Sequence, residues 1–140
     1  MISNKSKPSL QYAFFCSDFI ESKDQVSAVG ILDWADVRGT IKSTETIPEK
    51  IFPLKMVLGI NGPPGTYALK LVISKPSGGV SAAVDLEQFN ILPDEYLHRC
   101  IANLDMEVSE DGLYQFNVLV NNTSIGMAVL PMSFLIEFED

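Results

Sequence analysis

Apolar and polar residues alternate with a period of two through most of this chain, the period of a strand with one buried face. The clearest run is residues 67–73, where Tyr67, Leu69, Leu71 and Ile73 share one face and Ala68, Lys70 and Val72 the other. Residues 113–120 repeat it, with Tyr114, Phe116, Val118 and Val120 opposed by Gln115 and Asn117. Residues 51–60 set Leu54, Met56, Leu58 and Ile60 against Lys55, Val57 and Gly59. Residues 100–108 turn Cys100, Ala102, Leu104, Met106 and Val108 toward a core. A first strand over 10–17 puts Leu10, Tyr12, Phe14 and Cys16 on one face and Gln11, Ala13 and Phe15 on the other. A second covers 25–34, where Gly30 marks a bulge or a close backbone approach. The last run aligns Leu130, Met132, Phe134, Ile136 and Phe138.

Turn chemistry separates these runs. "NGPPG", "SKPSGG" and "SEDG" break the pattern with Pro and Gly, and the charged "DFIESKDQ" over 18–25 reads as a solvated turn. Asn121–Asn122 joins two alternating runs, and Asn tolerates the positive φ of a tight type I′ hairpin. Pro131 cannot donate to a ladder, so it belongs at an edge or bulge and suits a strand changing sheets. Residues 35–50 are the least patterned, a long connection with room for a short strand. Residues 80–99 are ambiguous: 80–86 suit a strand, and Pro93 followed by Asp94 and Glu95 suits one helical turn.

About seven or eight short strands without a long helix predict an all-β antiparallel sandwich of immunoglobulin-like type. The domain is expected to span 10–140, behind a flexible arm at 1–9. In such sandwiches a tyrosine near a strand start folds back to bond upstream backbone. Gly65 with Tyr67, and Gly112 with Tyr114, have the spacing for two such corners.

"LQYAFFCSDFIESKDQVSAVGIL", "PPGTYALKLVISKPSG" and "DGLYQFNVLVNNTSIGMAVLP" together resemble a bacterial family of small uncharacterised proteins. The likeness runs through most of residues 10–131 and departs in 80–99. It is a pattern of strands and turns, and it implies an immunoglobulin-like sandwich with no catalytic residues to carry over.

Charge narrows the partners. The net charge of −8, from 18 acidic and 10 basic residues, repels phosphate backbones and anionic membrane surfaces. No stretch approaches the roughly 20 apolar residues of a membrane span. Lys5 and Lys7 precede a short apolar stretch that Gln11 and Tyr12 interrupt, which is no secretion signal and points to the cytoplasm. The sequons at Asn121 and Asn122 are then better read as turn residues. Cys16 and Cys100 allow either a bridge between sheets or two buried thiols, and a reducing compartment favours the thiols.

The inventory for chemistry is thin. His98 is the only histidine, and Cys100 would lie roughly 7 Å along the same strand face, long for a thiol–imidazole bond. A zinc site from His98, Cys100 and Cys16 lacks the usual spacing and a fourth ligand. Neighbouring carboxylates, among them Asp85 with Glu87 and Asp105 with Glu107, suit solvated faces. Asp33–Trp34–Ala35–Asp36 is the best candidate, because it couples the only Trp to two acids at a strand end. It could form a sugar platform or a calcium contact, although a Trp there commonly plugs the end of a sandwich. The expectation is therefore a non-enzymatic, cofactor-free interaction module. It would self-associate as a homodimer, or dock a protein partner, through an exposed edge or its end loops. The alternative is carbohydrate or calcium binding by loops 33–50 and 85–99.

Overall fold

The computed structural model describes residues 7–22, 25–42 and 50–139, which form nine strands and no helix. They are β1 Ser9–Glu21, β2 Val26–Leu32, β3 Ala35–Lys42, β4 Lys50–Asn61, β5 Gly65–Ser74, β6 Val80–Ile91, β7 Leu97–Val108, β8 Gly112–Val120 and β9 Thr123–Glu139. One sheet has the order β2-β1-β4-β7 and the other β3-β9-β8-β5-β6. The chain passes from one sheet to the other after β2, β3, β4, β6 and β7, which interleaves the two layers as in immunoglobulin-like sandwiches.

Several elements depart from the periodicity reading. Residues 35–42 form β3 rather than a connection, and β3 lies parallel to β9 in an otherwise antiparallel fold. Residues 43–49 of the expected connection, and 1–6 of the expected arm, lie outside the described residues. Ser9, placed in that arm, already pairs with Asn61. Asp18–Glu21 continue β1 instead of turning, because the hairpin partner β2 extends their ladder. Leu92–Glu95 close a tight turn through the Glu95 amide and the Leu92 carbonyl, 2.9 Å apart, with no helical turn. At Pro131, β9 changes partners within one sheet rather than changing sheets: it leaves β8 at Met132 and pairs with β3 from there on.

Two bulges explain where face assignments fail. In β1 the register slips between Leu10 and Tyr12, so Leu10, Ala13 and Phe15 face the core while Tyr12, Phe14 and Cys16 face outward. In β6 the register slips across Leu86, which brings Glu87 opposite core-facing Leu69. Ala82 and Leu86 pack inward before the slip, and Phe89 and Ile91 after it.

The inward rows meet between the sheets. Phe15 and Phe116 join the layers with ring centroids 4.7 Å apart, a contact worth about 1 kcal/mol beyond the area it buries. Cys100 faces this core opposite Leu58, whereas Cys16 lies opposite Lys55 on the outer face of the same sheet. Opposite faces of one sheet cannot be bridged, and both thiols are free and buried. Cys16 is covered from outside: Lys55 lies over it, reaching Asp18 at 3.6 Å and the Phe19 ring at 5.6 Å.

Candidate functional site

Asp33 and Trp34 sit at the bend from β2 into β3, and Asp36 is the first outward-facing residue of β3. The parallel register sets Asp36 beside Ser133. Its carboxylate accepts hydrogen bonds from the Ser133 hydroxyl and, at 3.1 Å, from Trp34 Nε1, and Arg38 lies 3.6 Å away. The Ser133 bond first, then Trp34 and Arg38, hold the carboxyl below the ordinary aspartate range. A calcium ion would have to displace these partners. Trp34 does not plug the sandwich: the indole is 58% exposed, anchored by its nitrogen with the ring toward solvent. Asp33 is exposed beside it. The second ligand segment, 85–99, belongs to β6 and β7. β3 and β6 are opposite edges of the five-stranded sheet, four strand spacings or roughly 19 Å apart. Among the described residues the two segments therefore form no common site.

The two tyrosines anchor loops. Tyr114 Oη donates to the Glu110 carbonyl at 2.9 Å, and Tyr67 Oη donates to the Pro63 carbonyl at 2.6 Å. Gly112 has a φ of 130°, and a Cβ there would lie 2.7 Å from Pro76 Cβ. Gly65 keeps a negative φ; a Cβ there would press on the Tyr67 hydroxyl at 3.3 Å. Glu110 also accepts from the amide and hydroxyl of Ser77, at 2.9 and 2.8 Å, tying the β5–β6 turn to the Tyr114 corner.

A cluster that sequence spacing did not reveal joins β6 to β7. The bulge at Leu86 turns Glu87 inward, where it meets His98 Nε2 at 2.6 Å. The His98 ring stacks on Phe89 at 4.1 Å and 8°. Cys100 lies within the same group. Burial, and then the charge and hydrogen bonding of Glu87, push its thiol up to about 12. The Glu87 carboxylate thus interacts with both the Cys100 thiol and the His98 imidazole. This group fastens one sheet to the other. The described residues hold no group of three or more His, Cys, Asp or Glu side chains placed to bind a metal ion.

The remaining feature is an edge. β7 pairs with β4 in unbroken register over all twelve residues, and among the described residues no strand lies on its other side. The other edges carry devices that discourage pairing. β6 has two register shifts, β2 has Gly30 at a φ of 65°, and β3 is short and ends in Lys42. β7 has no Pro, Gly, Lys or bulge. Its outward row runs Arg99, Ile101, Asn103, Asp105, Glu107. Beside it, between the two sheets, is a hollow lined in part by Ile73, Ala82, Val84, Leu104 and Met106.

No protein-family model and no curated protein sequence matches the chain, so the resemblance to a bacterial family rests on its strand-and-turn pattern alone. Solved structures do match. The alkylpurine DNA glycosylase AlkC of Pseudomonas fluorescens, bound to DNA containing an abasic-site analog, aligns with a TM-score of 0.59 and 11% identity. The alignment covers 91% of this chain and 31% of that one. A β-glucosidase from Listeria innocua in complex with glucose aligns at 0.51 and 10% identity, over 94% of this chain and 16% of that one. An immunoglobulin-like protein from Pseudomonas aeruginosa aligns at 0.45 and 10% identity, over 93% and 99%. The chain thus spans about a third and about a sixth of the two enzymes it matches. At such identities the likeness to those two shows a shared β-sandwich fold and says nothing of activity.

Proposed function

We propose that this domain is a non-catalytic interaction module that captures an extended polypeptide segment along the open edge of β7. The carrying observation is the regularity of that edge: among the described residues its twelve residues pair on one side only, in unbroken register and without Pro, Gly, Lys or a bulge. An added strand would pair with the backbone groups of β7 that face away from β4, and alternate side chains would enter the hollow beside Leu104 and Met106. The ionisable clusters support a structural rather than a chemical role, since Glu87, His98 and Asp36 are each committed to partners within the fold. Selection of short peptides displayed against the folded domain tests the reading. Winners should alternate apolar and polar residues and should shift the amide resonances of β7. Winners that shift Trp34 and Asp36 alone would overturn it.

The exposed indole of Trp34 favours a second, separate reading, a stacking platform for a sugar ring. Its test is quenching or shift of Trp fluorescence on glycan titration, with no change on titrating calcium alone.

A further inference from the structure

The outward row of β7 is self-complementary in charge, and from it we propose that the segment received by this edge is β7 of a second copy, in antiparallel register about Ala102. The inference rests on the edge-docking reading. Two identical antiparallel strands can pair only about an axis through a residue, because directly opposed residues must both point their backbone groups inward or both outward. Three such axes lie near the middle of β7. An axis at Ile101 sets Arg99 against Asn103 and gives no ion pair. An axis at Asn103 sets Arg99 against Glu107, but it also sets Ile101 against the charged Asp105 and leaves two asparagines at the centre. An axis at Ala102 sets Arg99 of each copy against Asp105 of the other and Ile101 against Asn103 on the outer face, with Leu97 against Glu107 only at the outermost positions, so the ion pairs lie nearer the axis than any contact between a carboxylate and an apolar side chain. On the inner face it sets Cys100 against Leu104 and His98 against Met106. Arg99 is the only lysine or arginine in β7, and with a chain charge of −8 it is what makes the edge attractive to a second copy. In one copy it lies 4.0 Å from Glu21, so the dimer would place it between two carboxylates. The small Ala102 side chains would face each other at the axis, and the two four-stranded sheets would join as one.

Sedimentation equilibrium on the full chain tests this. The wild type should show a monomer–dimer equilibrium. Arg99→Asp alone and Asp105→Arg alone should each weaken self-association about tenfold or more, since each interface would hold two like-charged pairs. An equimolar mixture of the two variants should recover a heterodimer. One copy would then carry acids at both positions and the other bases at both, so each opposed pair regains opposite charges. Recovery in the mixture shows that both variants fold, and Asp105→Arg leaves the Glu21 contact intact. Three results would overturn the proposal: a strict monomer at millimolar concentration, dimers insensitive to both variants, or no recovery in the mixture. If the chain is monomeric and selected peptides still perturb β7, the second copy is wrong and edge docking stands. If they do not perturb β7, both readings fall.

Discussion

Tyr114 Oη donates to the carbonyl of Glu110, four residues upstream, at 2.9 Å, and the ring beneath it is fully buried. The bond fixes how the chain leaves β7 and enters β8. Tyr114→Phe keeps the ring and loses the bond, so it should cost about 1 kcal/mol in denaturant unfolding. Gly112→Val should cost more, about 2 kcal/mol or above, because it combines a positive φ with a 2.7 Å approach to Pro76. Equal stability of the three proteins would contradict the corner.

Acid should act through the same corner. Glu110 is held below the ordinary glutamate range, by the Ser77 amide first and then by the Ser77 hydroxyl. A carboxylate with a depressed folded-state pKa adds stability above its unfolded value, and that stability is lost as pH falls through the folded one. Glu110→Gln should therefore melt below wild type at neutral pH. The gap should close on acidification from the ordinary glutamate value downward, as both states come to bind the proton. A gap that widens in acid would reverse the assignment.

Neither thiol should be reactive in the folded protein. Cys16 is raised by burial and then by Asp18, and Cys100 is pushed up to about 12. A thiol reagent at neutral pH should leave both untouched until denaturant is added, then titrate two equivalents. Fast modification of one equivalent in the native state, or a disulfide in the oxidised protein, would be incompatible with this arrangement.

Trp34 is the only tryptophan, so its fluorescence reports one site. An indole 58% exposed should emit close to the wavelength of the unfolded chain and should be quenched readily by iodide. Asp36→Ala removes the acceptor of its Nε1 proton and should raise the mobility of the ring, read as lower anisotropy. A native emission far to the blue would mean that the ring is packed inside after all.

Periodicity made the central strands legible. β4, β5, β7 and β8 alternate without a slip in their inward rows, and Asn121 and Asn122, at φ 49° and 64°, close the hairpin their identity suggests. What periodicity misplaced follows from bulges and pairing. One extra residue at Gln11 swapped the faces of β1 beyond it, and one at Leu86 made residues 80–91 look irregular. The signal for β3 was present in Ala35 and Val37 alternating with Asp36 and Arg38. Gly39 and Thr40 diluted it, and the parallel partner that holds it lies nearly a hundred residues away at Ser133. The Glu87–His98 pair needed the bulge before it could form. The open edge of β7 could not be read before the strand order was known, because being at an edge is a property of neighbours.

Amide hydrogen exchange along β7, followed residue by residue at low and high protein concentration, is the most direct test of that edge. At low concentration alternate amides between Leu97 and Val108, those facing away from β4, should exchange freely while the intervening ones are protected. At high concentration, or with a selected peptide bound, the free set should slow. Uniform protection of β7 at every concentration, or free amides that no added strand ever slows, would contradict the account.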